Sequence, residues 1–482
     1  MKGKGLLEKI LSEIKPYFPK KRPLPHYLNW RHWEKDERLS FLTNVIIGLV
    51  LGIAFFFMTH LQVMESLFNS TIDKLIKKET TSLAKTMETC FKNPAQTREC
   101  QNVRSKISSH IAFIDVDSDT YIRWGEPLLI PRDKLAYFLT LADRNKARMV
   151  YLDVLFDHPS NRPGEDAELR KCLAELTQKK SELKVIFPTI HSSSRDQIKK
   201  NVFDDLIDKN PNFYRGFPYS SFSKYDRIIR YVRYYDIAKG SDGNNLVLWG
   251  VPVLAAALWT NDLPKLKALE SSILRDVQHQ RREKYLLGLS NGRRIEVGNY
   301  ELFSNRIRFS LLPPGTISKE GTLFGERILP DEVEALQQEL RDKIVIIGTS
   351  SPDKEGWYQT PVGEMPGIYI IGNALNVLLG DWQVRDAPLW ISILVNVVVI
   401  LFACYMFVHF SASAARTLSA IFASMVVLPL TYIFYVRYGI IINTVFLFLN
   451  MLVPVLAMSW YRLQENIKKL ISGHILKFFS RF

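Results

Sequence analysis

The hydrophobic positions of this chain follow two different patterns. In four places they form long runs without a single charged residue, at 41–58, 389–407, 418–436 and 440–460. Each run is close to the ~17–25 residues that a helix needs to cross a ~30 Å hydrocarbon layer. Between the first run and the second, apolar and polar positions alternate in short periods. The pattern predicts one transmembrane helix within 39–60 and three within 389–460. An even number of crossings puts both ends of the chain on one side and residues 61–388 on the other.

Within 61–388 the period identifies individual elements. Leu67, Ile72, Leu75, Ile76 and Leu83 recur at helical spacing and predict a stalk helix over 65–87. The β-branched and aromatic runs 111–116 (IAFIDV), 149–156 (MVYLDVLF) and 184–190 (KVIFPTI) read as strands, and 132–145 and 165–179 as the helices between them. Strand, helix, strand, helix, strand is the pattern of a parallel sheet with crossover helices. It returns late in the region, with a helix over 330–340, a strand over 343–348 and a helix over 369–379. In between, 231–237 and 306–311 read as strands. Residues 246–258 read as a buried helix, too short at 13 residues to span a bilayer and containing Pro252. The fold class is α/β: a mixed, largely parallel sheet with flanking helices outside the membrane, plus four transmembrane helices. A domain of this size buries one substantial core.

Charge gives the orientation. Residues 1–38 hold ten Lys/Arg against five Asp/Glu, and 461–482 hold five against one, out of a net charge of +14. Basic excess beside apolar spans marks the cytoplasmic side. The expected layout is a cytoplasmic basic segment (1–38), transmembrane helix 1 (39–60), an extracytoplasmic α/β domain (61–388), transmembrane helices 2–4 (389–460) and a cytoplasmic tail (461–482), in a bacterial inner membrane. A cleaved signal peptide fits poorly, because its basic region would be nearly forty residues long and His60-Leu61-Gln62 offers no small-residue cleavage pattern. The basic excess sits in two juxtamembrane tails, where anionic lipid is the expected partner and nucleic acid is not. The tail places Leu463, Ile467, Leu470, Ile471, Ile475 and Phe478 near helical spacing among basic residues. It reads as an amphipathic helix lying on the inner leaflet or docking on a partner protein.

The four cysteines form no metal pattern. Cys404 lies in an apolar run, and Cys172 falls on a predicted helix as a buried thiol. Cys90 and Cys100 bracket a polar loop in the region placed outside the cytoplasm, where a disulfide between them would persist.

The candidate chemistry gathers at strand ends. Asp115 and Asp153 fall towards the carboxyl ends of the first two strands, with Asp117 and Asp157 just beyond. Ligands of such sheets bind in the crevice outside those ends. The carboxylates there can hold a divalent cation or hydrogen-bond a polar ligand, or they cap helices and turns. Thr349 and Ser350 follow another predicted strand at the same edge, in a turn able to cradle an anion but lacking the glycine spacing and lysine of a phosphate loop. Arg132 either contacts a ligand or pairs with an acidic neighbour. No catalytic set and no cofactor signature emerges, so a non-enzymatic protein is expected. Asn396 and Asn450 are expected to hydrogen-bond neighbouring helices, and spans without charge speak against a transporter.

Several segments together resemble the second class of CHASE domains, extracytoplasmic sensory modules of bacterial receptors. They are Ile111-Ala-Phe-Ile-Asp-Val-Asp-Ser, Ile130-Pro-Arg-Asp-Lys-Leu-Ala and Ala147-Arg-Met-Val-Tyr-Leu-Asp-Val-Leu-Phe-Asp. Later come Lys343-Ile-Val-Ile-Ile-Gly-Thr-Ser, Gln359-Thr-Pro-Val-Gly, Met365-Pro-Gly-Ile-Tyr and Gly372-Asn-Ala-Leu-Asn. The resemblance implies one span, a sensory domain and three further spans, usually followed by a kinase or cyclase output module. The chain departs from it at Gly356 and Ile371, where the family tends to carry an acidic residue and a histidine.

The chain stops about twenty residues after its last apolar run. The expectation is therefore an extracytoplasmic sensor that binds a ligand and signals through a separate membrane or cytoplasmic protein partner, with self-association open. The alternative is a non-catalytic structural or accessory subunit of a larger cell-envelope complex.

Overall fold

The computed structural model describes residues 62–92 and, with interruptions, 110–441, together with residues 42, 45 and 46. The longer interruptions are 191–197, 280–284, 299–304, 312–325, 329–336, 352–355 and 411–417. The chain divides into two compact units, one of residues 73–385 and one of 1–72 with 386–482.

Unit 73–385 is built on a six-stranded sheet of β1 (Ile111–Val116), β2 (Met149–Leu152), β3 (Lys184–Pro188), β4 (Phe213–Gly216), β5 (Glu326–Ile328) and β6 (Ile344–Thr349). Their spatial order is β5-β1-β6-β2-β3-β4, and every neighbouring pair is parallel. All six residues of β1 are buried, as expected of a strand covered on both faces. On one face Ile114, Val116, Val150, Leu152, Val185, Phe187, Val345 and Ile347 share a core with Leu135, Phe138 and Leu139 and with Leu169, Leu173 and Leu176.

The helix α1 (Gln62–Lys92) covers the helix expected over 65–87. The core residues above come from α2 (Arg132–Arg144) and α3 (Glu165–Gln178), both legible in the sequence. The other face of the sheet is covered by α4 (Val251–Trp259) and α5 (Gly367–Gly380). Phe113 of β1 stacks on Tyr369 of α5 with ring centroids 4.7 Å apart. Gly216 of β4 lies against Val251 and Leu254 of α4. The result is a three-layer α/β/α arrangement.

Four expectations need correction. Residues 246–258 are not one helix: Asn245–Trp249 is a strand, and the helix starts after Gly250. A Cβ on Gly250 would lie 2.3 Å from the Arg233 carbonyl, so the chain turns there at a close backbone crossing. The same crossing interrupts the strand expected over 231–237, which is two strands, Ile229–Val232 and Tyr235–Lys239, in different pairings. Residues 306–311 form no strand. Arg306 makes a bridge with Tyr231, and Ile307 N donates to Arg230 O at 2.9 Å; from Arg308 onward the segment is held by side chains. Both Ser310 N and Leu311 N donate to Asn373 Oδ1, at 2.6 and 2.7 Å, and Thr80 Oγ1 donates to Phe309 O at 2.8 Å. Of the helix expected over 330–340, the described part is a 3-10 turn, Gln337–Leu340.

The same segment fastens α1. Asp73 accepts from Arg230 at 2.6–3.0 Å and from Arg306 at 2.8 Å, and Arg306 is fully buried. Arg306 also donates to the Tyr231 hydroxyl at 3.0 Å. One and a half turns along α1, Glu79 pairs with Arg308, both buried. Removing one partner from such a pair strands a buried charge, which is far more costly than the pair is stabilising.

In unit 1–72 with 386–482, α6 (Leu389–His409) matches the second predicted span and is 21 residues long. Its Phe402 stacks on Phe422 at 4.0 Å, while Trp390, Ile393, Leu394, Val398 and Leu401 stay exposed. A helix Leu428–Tyr438 covers the end of the third predicted span. The runs 41–58 and 440–460 lie almost wholly outside the described residues. Among the described residues no helix is long and apolar enough to cross a membrane. The nearest is α6, whose length at 1.5 Å per residue is about 31 Å. The four spans therefore stay expectations of the sequence.

Gly372 tests the packing of α5. A Cβ there would meet Phe113 Cζ at 2.4 Å and Cε1 at 2.8 Å. Alanine gains up to about 1 kcal/mol of helix propensity, but displacing a buried ring costs about 1–3 kcal/mol. Gly372→Ala is expected to lower stability in thermal unfolding; an unchanged or raised midpoint would contradict the close contact.

Candidate functional site

The strands of this sheet all point one way, so their carboxyl ends share an edge. After β1 and β2 the chain passes to α2 and α3 on one face; after β6, which lies between them, it leads to α5 on the other. Chains that leave neighbouring strands towards opposite faces open a crevice between them. Asp115, Gly348 and Asp153 form one row across this edge. Asp115 is opposite Gly348 in register, and Asp153 N donates to Ile347 O at 2.8 Å.

The glycine in the middle is required by the close passage of α5. A Cβ on Gly348 would come within 2.3 Å of Ile368 Cγ2 and 3.0 Å of Asp153 Cβ. Each carboxylate has a tyrosine. The Tyr369 hydroxyl donates to Asp115 Oδ2 at 2.9 Å, and the Tyr151 hydroxyl donates to Asp153 Oδ1 at 2.7 Å. Asp115 is fully buried, while Asp153 is half-buried. Asp153 Oδ2 lies beside Gly367, the first residue of α5, where the partial positive charge of a helix start favours an anion.

The surrounding turns are tied to one another. Thr349 Oγ1 donates to Val116 O at 2.7 Å, Ser350 N donates to the same carbonyl at 3.2 Å, and Ser351 N donates to Thr349 Oγ1 at 3.1 Å. The hydroxyls of Ser118 and Ser351 lie 3.3 Å apart, and Trp357 Nε1 donates to Ser350 O at 3.2 Å. Asp117 caps the short helix Ser118–Arg123 through a 2.9 Å bond from Thr120 N.

Asp115, Asp117, Asp153, Thr349 and Ser350 are thus brought to one edge, whereas Asp157 and Arg132 have other surroundings. Asp157 accepts from Lys199 at 3.2 Å. Arg132 is buried against Phe156 and Phe203 and pairs with Asp166 and the His158 carbonyl. Beside it, a groove of about 450 Å³ is lined by Trp124, Asp133, Lys134, Arg162 and Glu168. Among the described residues no three His, Cys, Asp or Glu side chains are grouped to hold a metal ion. Cys172 is a free, buried thiol. Cys100 lies outside the described residues, and with it the Cys90–Cys100 pair.

Sequence reasoning missed Tyr369, Tyr151, Ser118 and Ser351. Tyr151 was within reach, because residues i and i+2 of a strand share a face. Tyr369 was not, being 254 positions from Asp115.

A parallel sheet with polar side chains converging at its switch point defines an α/β domain with a crevice at its carboxyl edge. The comparison with family models is specific: residues 50–408 match the CHASE2 domain. The chain belongs to the CHASE2 family, a family of extracellular sensory domains. No curated protein and no solved structure matches it.

Burial pushes the Asp153 carboxyl above its ordinary value of 3.8, with the Tyr151 bond offsetting part of the shift. A raised native value means that the folded protein holds this proton more tightly than the unfolded chain does. The contribution to stability is fully present below pH 3.8 and is lost as pH rises through the raised value. Asp153→Asn is expected to remove that loss, so its stability relative to wild type should rise from acid towards neutral pH in fluorescence-monitored unfolding. Parallel profiles would contradict the shift. Tyr369→Phe removes a buried donor from Asp115 and is expected to cost about 1–3 kcal/mol in the same measurement.

Proposed function

We propose that this chain is a membrane-anchored sensor. Its α/β domain takes a small polar ligand at the carboxyl ends of β1, β6 and β2, outside the cytoplasm, and signals through a separate membrane or cytoplasmic partner. The observation that carries the reading is the row Asp115–Gly348–Asp153. Two carboxylates stand one strand apart on either side of a glycine, Asp115 engaged by Tyr369 of the covering helix and Asp153 by Tyr151 of its own strand. A carboxylate perturbed as Asp153 is, at a sheet's switch point, marks where binding groups concentrate. An acceptor-rich site of this kind suits a ligand that presents hydrogen-bond donors, such as an amine or a polyol.

Membrane anchoring is supported by the uncharged run 389–407 and by the exposed apolar side chains of α6, which lipid tolerates and water does not. The basic tails support a cytoplasmic position for both ends.

A signal requires that the ligand bind two states differently. A physical route leads from the site to the stalk. Tyr369 and Asn373 are one turn apart on α5; the first bonds Asp115, and the second holds Ser310 and Leu311. The same segment carries Arg306 and Arg308, which pair with Asp73 and Glu79 of α1.

Gentle extraction of the native protein, followed by mass spectrometry of what stays bound, tests the role. A kinase, cyclase or other regulator among the companions is the expected result. Recovery in one large assembly of fixed stoichiometry would sink the sensor reading and leave a structural subunit. Asp73→Asn tests the route. It weakens the hold on two arginines and is expected to destabilise α1 by up to about 3–5 kcal/mol. Hydrogen exchange over residues 76–84 should then accelerate while β1 stays protected; unchanged exchange in α1 would break the route.

A further inference from the structure

Only one oxygen of the Asp153 carboxylate is answered. Oδ1 accepts from the Tyr151 hydroxyl at 2.7 Å. Among the described residues Oδ2 receives no hydrogen bond, and no cation stands beside it. The start of α5 lies near, but its first amide, Gly367 N, is given to Gly356 O at 2.8 Å. Burial pushes the carboxyl up, as expected of a charge taken from water without a counter-charge. Keeping it there costs stability until a cation answers it.

The backbone in front of Oδ2 is bare. A Cβ on Gly367 would lie 3.3 Å from Tyr358 Cε2, 3.7 Å from Gly356 O and 3.8 Å from Asp153 Oδ2. Two acceptor oxygens and an aromatic ring thus surround a face of the chain that carries no side chain. The φ of Gly367 lies outside the left-handed region, so its conformation does not itself demand glycine. On the other side, a Cβ on Gly348 would lie 3.6 Å from the same Oδ2, so the oxygen is flanked by two glycines. There is open space at Gly356 as well: a Cβ there would meet nothing within 4 Å among the described residues. The Gly356 carbonyl accepts from Gly367 N and keeps a second lone pair. Tyr358 belongs to the hairpin Trp357–Thr360 and Gly363–Pro366, which leads directly into α5.

We propose that the ligand of this edge is a primary amine, whose ammonium group sits against the bare face of Gly367 between Asp153 Oδ2, Gly356 O and the Tyr358 ring. The inference rests on the ligand-binding reading given above and narrows it from donors in general to a cation. An ammonium carries three N–H donors on a compact head. It makes a charge-assisted bond to the carboxylate, a second bond to the carbonyl, and turns its charge towards the aromatic ring. A polyol supplies donors too, but leaves the charge of Asp153 unanswered. Glycine at 367 lets the ligand approach the backbone closely, and any larger residue would stand in its place.

Titration calorimetry of the full chain in a maltoside detergent tests this, with ethylammonium chloride and glycerol as parallel probes at constant ionic strength. Saturable binding of ethylammonium, tighter than that of glycerol, is expected. Asp153→Asn keeps the shape of the side chain and removes its charge. It is expected to weaken ethylammonium binding at least about tenfold, equivalent to roughly 1.4 kcal/mol. Gly367→Ala keeps the charge and covers the bare face, and is expected to weaken binding as much. It also carries the test should Asp153→Asn fail to fold. Glycerol binding alone, or as tightly as ethylammonium, would overturn the amine assignment and leave the wider reading of a polar ligand standing. Binding of neither probe would overturn both. An ethylammonium affinity unchanged in the folded variants would place the ammonium elsewhere and overturn the assignment.

Discussion

The closeness of α5 to the middle of the sheet constrains most of what surrounds it. Gly348 on β6 and Gly372 on α5 are both positions where a single added carbon would lie 2.3 and 2.4 Å from a neighbour, far inside van der Waals contact. That approach seats Tyr369 flat on Phe113 and puts its hydroxyl on Asp115. It also brings the start of α5 to Asp153. The carboxylates can be buried because the covering helix delivers a donor to one of them, as buried polar groups require. Packing and polar chemistry are thus set by one distance.

The two ends of the parallel strands have different characters, for a physical reason. Strands β2 and β3 begin where α2 and α3 have just ended, and β1 and β2 stop before the next helix begins. Carbonyl-rich helix ends gather near one edge, and amide-rich helix starts near the other. Cations such as Arg148 and Lys184 are favourable at the first, and carboxylates such as Asp117 and Asp153 at the second. The polarity of the chain direction is written into the charge of the domain. A sheet of mixed direction would blur it.

Much of the central sheet was legible because strands buried on both faces have unbroken apolar sequences, as in IAFIDV and KIVIIG. The helices α2 and α3 were legible because their buried residues recur with the helical period. Failures came where tertiary contacts replaced local pattern. LVLWGVPVLAAAL is apolar throughout and carries no period, so the turn at Gly250 could be placed only by the backbone that crosses it. Residues 306–311 have an extended pattern but are held by Asn373, Thr80, Asp73 and Glu79. At the candidate site, Asp115 and Asp153 could be found from their position at strand ends. Their tyrosine partners belong to the folded protein.

The way residues 306–311 are held has a consequence for protein engineering. A strand in a ladder is attached through its backbone and tolerates an exchange of sequence, because every residue type except proline brings the same amide and carbonyl. This segment has a short backbone pairing at Arg306 and Ile307 and is otherwise attached through named side chains on two different helices. A chimaera that grafts this domain onto the stalk of another receptor must therefore carry Asp73, Glu79 and Thr80 with it. The natural boundary for recombination lies before Asp73, near the amino-terminal end of α1, and not at the loop where the sheet begins.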